Sequence, residues 1–196
     1  MRASVVEGAE AMEHHGWKWW KKQEMDKAQF AMELVDIWHF TLSHAIVVAK
    51  GDMDAAASLV LNGLESTYGR EGLMFDGRYY KFAKLDTIDR VELLIGISVS
   101  RRSSIPLFET LLTDVGVSWD ELYCQYVGKN VLNLFRQDNG YKEGTYLKIW
   151  PQTGADSLED NQVLVKITDK FPNLQPEELY SALQTEYQAA VTLQAA

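Results

Sequence analysis

Apolar and polar positions along the 196-residue chain recur mostly at helical spacing, and the breaks between periodic stretches are marked by glycine or proline. Residues 3–14 read as a first helix, with Ser4 three residues before Glu7 as a capping-box pair and Gly16 as the stop. Residues 24–49 read as a long second helix ending at Gly51. Phe30, Leu34, Val35, Ile37, Trp38 and Leu42 surround it on nearly all sides, the pattern of a central, buried helix. A third helix is predicted over 53–67, capped by Asp52, and GREGLMFDGRYYKF at 69–82 reads as a loop. Helical spacing returns over 86–101 and 105–114, where Pro106 suits a first turn. Ser118 and Glu121 form a second capping-box spacing that opens a helix to about Gln137. The stretch 139–157 is rich in glycine and aromatics with short alternation, and two further helices are predicted over 158–169 and 177–190. The expectation is an all-α helical bundle in one domain, 1–196, without internal repeats.

Composition narrows this to a globular chain, 46% hydrophobic and 24% charged. Apolar runs such as AIVVA at 45–49 are too short to span a bilayer, and no basic-then-apolar leader opens the chain. Cys124 is the sole cysteine, which excludes an internal disulfide and a cysteine-cluster zinc site. Its amphipathic helix offers no basic neighbour, so a buried structural thiol is expected. An intracellular, cytoplasmic protein without membrane partners follows. A net charge of −9 argues against a whole-surface nucleic-acid binder but leaves room for a nucleotide in a pocket.

The chemistry centres on MELVDIWHF at 32–40, where Glu33 and Asp36 sit among apolar residues. Positions three apart share a helix face, so the two carboxylates point the same way. Buried like charges oppose one another's ionisation, and a divalent cation removes the conflict; all-oxygen ligands suit magnesium. Glu7 and Glu10 repeat the spacing on the first helix, with Glu13 one turn beyond, although acids also favour helix N-termini for electrostatic reasons alone. A short connection makes the first two helices antiparallel, so the two pairs are able to face each other. Other acid pairs, Asp86/Asp89 and Asp156/Glu159, read as solvated surface.

Lys129, Asn133 and Arg136 fall on one helical stripe, flanked by Asn130 and Gln137. Read blandly, this is a solvated face with Arg136 paired to Asp138. The following loop adds Lys142 and Lys148 among Tyr141, Tyr146 and Trp150, a donor set suited to a triphosphate. Neither GxxxxGK nor GxGxxG occurs, so the P-loop and dinucleotide folds are not supported. His14/His15 and His39/His44 lack the spacing for a two-histidine zinc site, and His39, one turn after Asp36, is either pocket lining or a core histidine. WKWWKK at 17–22 reads as rim packing or as a wall on which a base stacks.

EGAE at 7–10 with WKWWKK after it, ELVDIWHF at 33–40, KNVLNLFRQDNGYKEGTYLKIW at 129–150 and EDN at 159–161 together resemble the dimeric all-α dUTPases of the all-α NTP pyrophosphatase superfamily. The resemblance implies hydrolysis of dUTP to dUMP and pyrophosphate by a homodimer, serving nucleotide-pool sanitation and dTTP precursor supply. It implies Mg2+ held by Glu7, Glu10, Glu33 and Asp36, with Glu7 or Glu10 also orienting or deprotonating the attacking water. Asn130, Asn133, Arg136, Tyr141, Lys142 and Lys148 would hold sugar and phosphates, Trp20 and His39 would border the base, and Lys129 joins the substrate-binding set by its place on the stripe. Residues 52–118 and 162–196 contribute little to the resemblance. Family members carry a helical segment before ExxE whose Gln and Asn read uracil, whereas MRASVV precedes Glu7 here. The alternatives are therefore a dCTP or general dNTP pyrophosphatase with relaxed base choice, or a non-catalytic nucleotide-binding protein.

Overall fold

A computed structural model describes residues 1–65, 69–171 and 174–194. Helix accounts for 67% of it, with eight helices and two short two-stranded sheets among the described residues. The all-α expectation therefore holds at the level of class. The chain gathers into two compact units, Met1–Leu122 and Tyr123–Ala196.

The first unit contains α1 (Arg2–His15), α2 (Lys27–Val48), α3 (Met53–Glu65), the hairpin β1 (Gly72–Phe75) and β2 (Arg78–Lys81), α4 (Thr87–Val99) and α5 (Ile105–Val115). It also takes the first turn of α6 (Trp119–Asp138). Its core is built from Phe30, Leu34, Val35, Ile37 and Trp38 of α2 against Val91, Leu94 and Ile97 of α4 and Leu107, Phe108 and Leu111 of α5. Trp38 stacks on Phe108 at 5.4 Å and meets the edge of Trp119 at 5.1 Å. Burying one such large apolar side chain stabilises the fold by about 1.5–3 kcal/mol.

Several element ends differ from expectation, each for a local reason. The first helix begins at Arg2, so Ser4 lies inside its first turn instead of capping it. Its hydroxyl is buried without a hydrogen-bond partner among the described residues. Asp26, not residue 24, starts α2: its Oδ1 accepts from the Gln29 amide at 3.1 Å. Only the first half of α2 is central, because Val47 and Val48 near its end are 73% and 53% exposed. By length and composition α2 is also apolar enough to cross a bilayer, which the short apolar runs did not suggest. Mid-helix carboxylates and a face packed on the core mark it as a core helix instead.

Asp52 caps α3 as expected, its Oδ1 accepting from the Ala55 amide, and the expected end of that helix at 67 lies outside the described residues. The 69–82 stretch is a hairpin, not a loop, with Gly72 opposite Lys81 and Phe75 opposite Arg78. Asp76 and Gly77 both take positive φ, 47° and 73°, as a tight two-residue hairpin turn requires. Ser118 and Glu121 do form the expected capping box, with Glu121 Oε2 accepting from the Ser118 amide and the Glu121 amide donating to Ser118 Oγ. Cys124 on α6 is exposed, correcting the expected buried thiol, because its turn of α6 presents a polar face.

The second unit holds the rest of α6, the hairpin β3 (Ile149–Gln152) and β4 (Ala155–Glu159), α7 (Asp160–Lys170) and α8 (Pro176–Gln194). The later part of the alternation over 139–157 is this second hairpin. Phe135 lies at the centre of an aromatic core, with Tyr146, Trp150, Tyr180 and Tyr187 around it at 5.3–6.3 Å. Trp150 is fully buried and its indole N–H donates to the Leu147 carbonyl at 2.8 Å. Glu159 and Gln162 close a reciprocal capping box at the start of α7.

Candidate metal and nucleotide-binding residues

Helices α1 and α2 run antiparallel side by side. His15 of α1 lies near Phe30 early in α2, while Ser4 lines the same cavity as Ile37 and Thr41 further along it. Gly8 sets the approach of α1 to α4: a Cβ there would stand 2.6 Å from Ile95 Cγ1. That packing leaves Glu7 turned toward α2. One carboxylate oxygen each from Glu7, Glu33 and Asp36 lies within 4.8 Å of the other two. Glu33 is buried, Glu7 and Asp36 are half-buried, and His14 Nε2 is 3.4 Å from Glu33 Oε1.

Three carboxylate oxygens are the donor type that a hard divalent cation takes, and their spread of up to 4.8 Å would have to close slightly around one ion. Magnesium takes oxygen ligands at about 2.0–2.1 Å, so two ligands on one ion are up to roughly 4 Å apart. Glu10 is exposed and is not one of the three. Glu7 and Glu10 have the same spacing as Glu33 and Asp36, but Glu7 lies at the packed edge of α1 and Glu10 on its solvent side. Glu13 has a local use: it accepts from Trp17 Nε1 at 2.9 Å and pairs with Lys18, which pins the chain as it leaves α1. This pairing holds its carboxyl below the usual range. Trp20 is 59% exposed and packs edge-to-face on Trp17 and Trp19, an aromatic surface open to solvent. His39 is half-buried with its ring edge-on to Phe40.

In the second unit, Lys129, Asn130, Asn133 and Arg136 are all half-buried on α6. Tyr141, Lys142 and Lys148 are exposed, and Lys148 Nζ is 3.9 Å from Glu159 Oε2. Arg136 does not pair with Asp138, which instead accepts from the Tyr180 hydroxyl at 2.9 Å. Its partner is Asp160, a fully buried carboxylate gripped by Nε at 2.7 Å and by Nη2 at 2.8 Å. Burial works against the guanidinium charge, but the hydrogen bonds and negative charge of Asp160 outweigh it and raise the Arg136 pKa. Tyr146 donates to the same carboxylate at 3.0 Å, and burial together with that charge pushes its phenol well above the ordinary range. Asp160 and His14 were not singled out from the sequence. EDN at 159–161, opening a helix after a strand, was the available sign of the first.

The family model described as dUTPase matches residues 1–141, about seven-tenths of the chain and including both acidic motifs. The chain belongs to the all-α dUTPase family. Family membership supports nucleotide pyrophosphatase chemistry and a nucleotide substrate. The matched range spans 52–118, outside the motifs that carry the resemblance, and ends before Lys142, Lys148 and EDN. No curated protein gives a significant match to the chain.

Proposed function

We propose that the chain is a magnesium-dependent dUTP pyrophosphatase, releasing dUMP and pyrophosphate, and that it works as one catalytic domain inside the cell. The observation that carries this reading is the convergence of Glu7, Glu33 and Asp36 oxygens in a member of the dUTPase family. Glu7, Glu33 and Asp36 would hold Mg2+, with Glu10 reaching it only through a side-chain change or a bridging water. Bound there, the ion would neutralise phosphate charge as the α–β phosphoanhydride bond opens.

The chain's own residues have separate tasks. A water oxygen bonds to phosphorus, the bridging P–O bond breaks, and the water's proton passes to a carboxylate. Glu7 or Glu10 is the acceptor we assign, since both lie on the ExxE helix. Lys129, Asn130, Asn133, Arg136, Tyr141, Lys142 and Lys148 are assigned to sugar and phosphates. Trp20 and His39 are assigned to the border of the base. We assign a homodimer as the working form. Val47, Val48, Met53, Leu59, Leu61 and Val99, all in the first unit, are 47–73% exposed, apolar side chains that a second copy would cover.

The test is incubation with each dNTP, with magnesium and with chelator, followed by separation of the products. Magnesium-dependent formation of dUMP and pyrophosphate in equal amounts is expected. No dUMP from dUTP, while another dNTP is cleaved, would replace the substrate; no cleavage of any would overturn the enzyme assignment.

A further inference from the structure

Arg136 is deployed in an unusual way for a residue assigned to phosphate. Of its five N–H groups, one on Nε and one on Nη2 go to Asp160. Its Nη1 donates to Asn133 Oδ1 at 3.0 Å, and its Nη2 also donates to Asn161 Oδ1 at 3.3 Å. The ion pair sits deep, with side-chain exposure of 14% for Arg136 and 0% for Asp160. Asp160 is further fixed by the Tyr146 hydroxyl and by the Asn161 amide N–H, which donates to Oδ1 at 2.8 Å.

A guanidinium only donates, so the amide atom that faces it must be oxygen. This removes the usual ambiguity of an asparagine flip. Both Asn133 and Asn161 are thereby held with Oδ1 on Arg136 and Nδ2 turned away from it. Each Nδ2 then presents N–H donors from a half-buried side chain.

We infer that Asp160 is a positioning residue: through Arg136 it fixes the Asn133 and Asn161 amides so that their NH2 groups donate to acceptor oxygens of the nucleotide. This deepens the dUTP reading and rests on it for the identity of the ligand. Asn161 becomes a binding residue under this inference, and Arg136 acts behind the contact surface. Acceptor-rich groups, phosphate oxygens and sugar hydroxyls, are the chemistry that such donors recognise.

The experiment uses the full chain with magnesium and a non-hydrolysable α,β-imido analogue of dUTP. Asp160→Asn should place an NH2 group against the guanidinium, release Arg136 and weaken analogue binding about tenfold, the worth of one to two lost neutral hydrogen bonds. In an Asn133→Ala, Asn161→Ala background the same change should cost almost nothing further in affinity, while its effect on the melting temperature persists. A purely structural Asp160 predicts an equal loss of affinity in both backgrounds, which would overturn the inference. Should Asp160→Asn fail to fold, Asn133→Ala and Asn161→Ala each leave the ion pair intact and must still weaken binding; full affinity in both overturns it. Side-chain NH2 relaxation by NMR separates the two readings. If the wild-type chain does not bind the analogue, the dUTP reading falls. The positioning itself then stands if the Asn133 and Asn161 NH2 groups are rigid in the wild type and loosen in Asp160→Asn, and falls if they do not.

Discussion

Glu33 and Asp160 are both carboxylates buried in helices, yet their surroundings differ in kind. Asp160, fully buried, is met by a bidentate guanidinium, a phenol and a backbone amide. Glu33, 7% exposed, is joined by two further carboxylates, with His14 at 3.4 Å. Burying a charge is tolerable only with compensation. In the second unit the chain supplies that compensation as Arg136. On α1 and α2 the chain gathers like charges, an arrangement that favours a divalent cation. Burial of an acid alone therefore does not mark function; the sign of what surrounds it does.

Arg136 is what most separates the two acids. Arg136→Ala strands the Asp160 carboxylate at zero exposure and should destabilise the protein by about 3–5 kcal/mol. Urea unfolding reads this directly, and magnesium should leave the difference unchanged. A loss under about 1 kcal/mol would mean that the pair is no structural anchor.

The next effect separates two acids that the spacing alone treats alike. Glu7→Gln should lower turnover at least about a hundredfold, close to 3 kcal/mol of barrier, and raise the magnesium concentration needed for half-activity. Glu10→Gln should shift that magnesium requirement less, because Glu10 is exposed and outside the three-carboxylate group. Equal shifts in the two magnesium titrations would put both glutamates on the ion.

Much of this architecture was legible in the sequence because helical periodicity and caps are local signals. Asp52 and the Ser118/Glu121 box fell where the residue types placed them. Ser4 and Glu7 show the limit: a three-residue spacing occupies one helix face in the interior as readily as at a start. Three glycines within 69–77 give the hairpin at 72–81 the look of a loop, although Asp76–Gly77 is a strong turn signal. The acidic motifs were visible, but only packing against α2 selects Glu7 over Glu10. The Arg136–Asp160 pair, 24 residues apart, is a tertiary fact that spacing along one helix does not contain.

A smaller effect is expected at Ser4. Its buried hydroxyl lacks a partner among the described residues, in a cavity shared with Ile37, Thr41 and Ser98. Ser4→Ala should stabilise the fold by up to about 1 kcal/mol, measured by thermal melts. A loss of stability would mean that the hydroxyl is satisfied by ordered water.

In the proposed enzyme, Glu33 and Asp36 serve a cation and not the fold. Thermal melts of the wild type, Glu33→Gln and Asp36→Asn, each with magnesium and with chelator, test it most directly. A cation bound only by the folded state adds about 2.7 kcal/mol at a hundred times its dissociation constant, so the wild-type melting temperature should rise with magnesium. Both variants should lose that rise, so that each melts at the same temperature with magnesium and with chelator. A wild type indifferent to magnesium, with both variants less stable in either condition, would contradict the account.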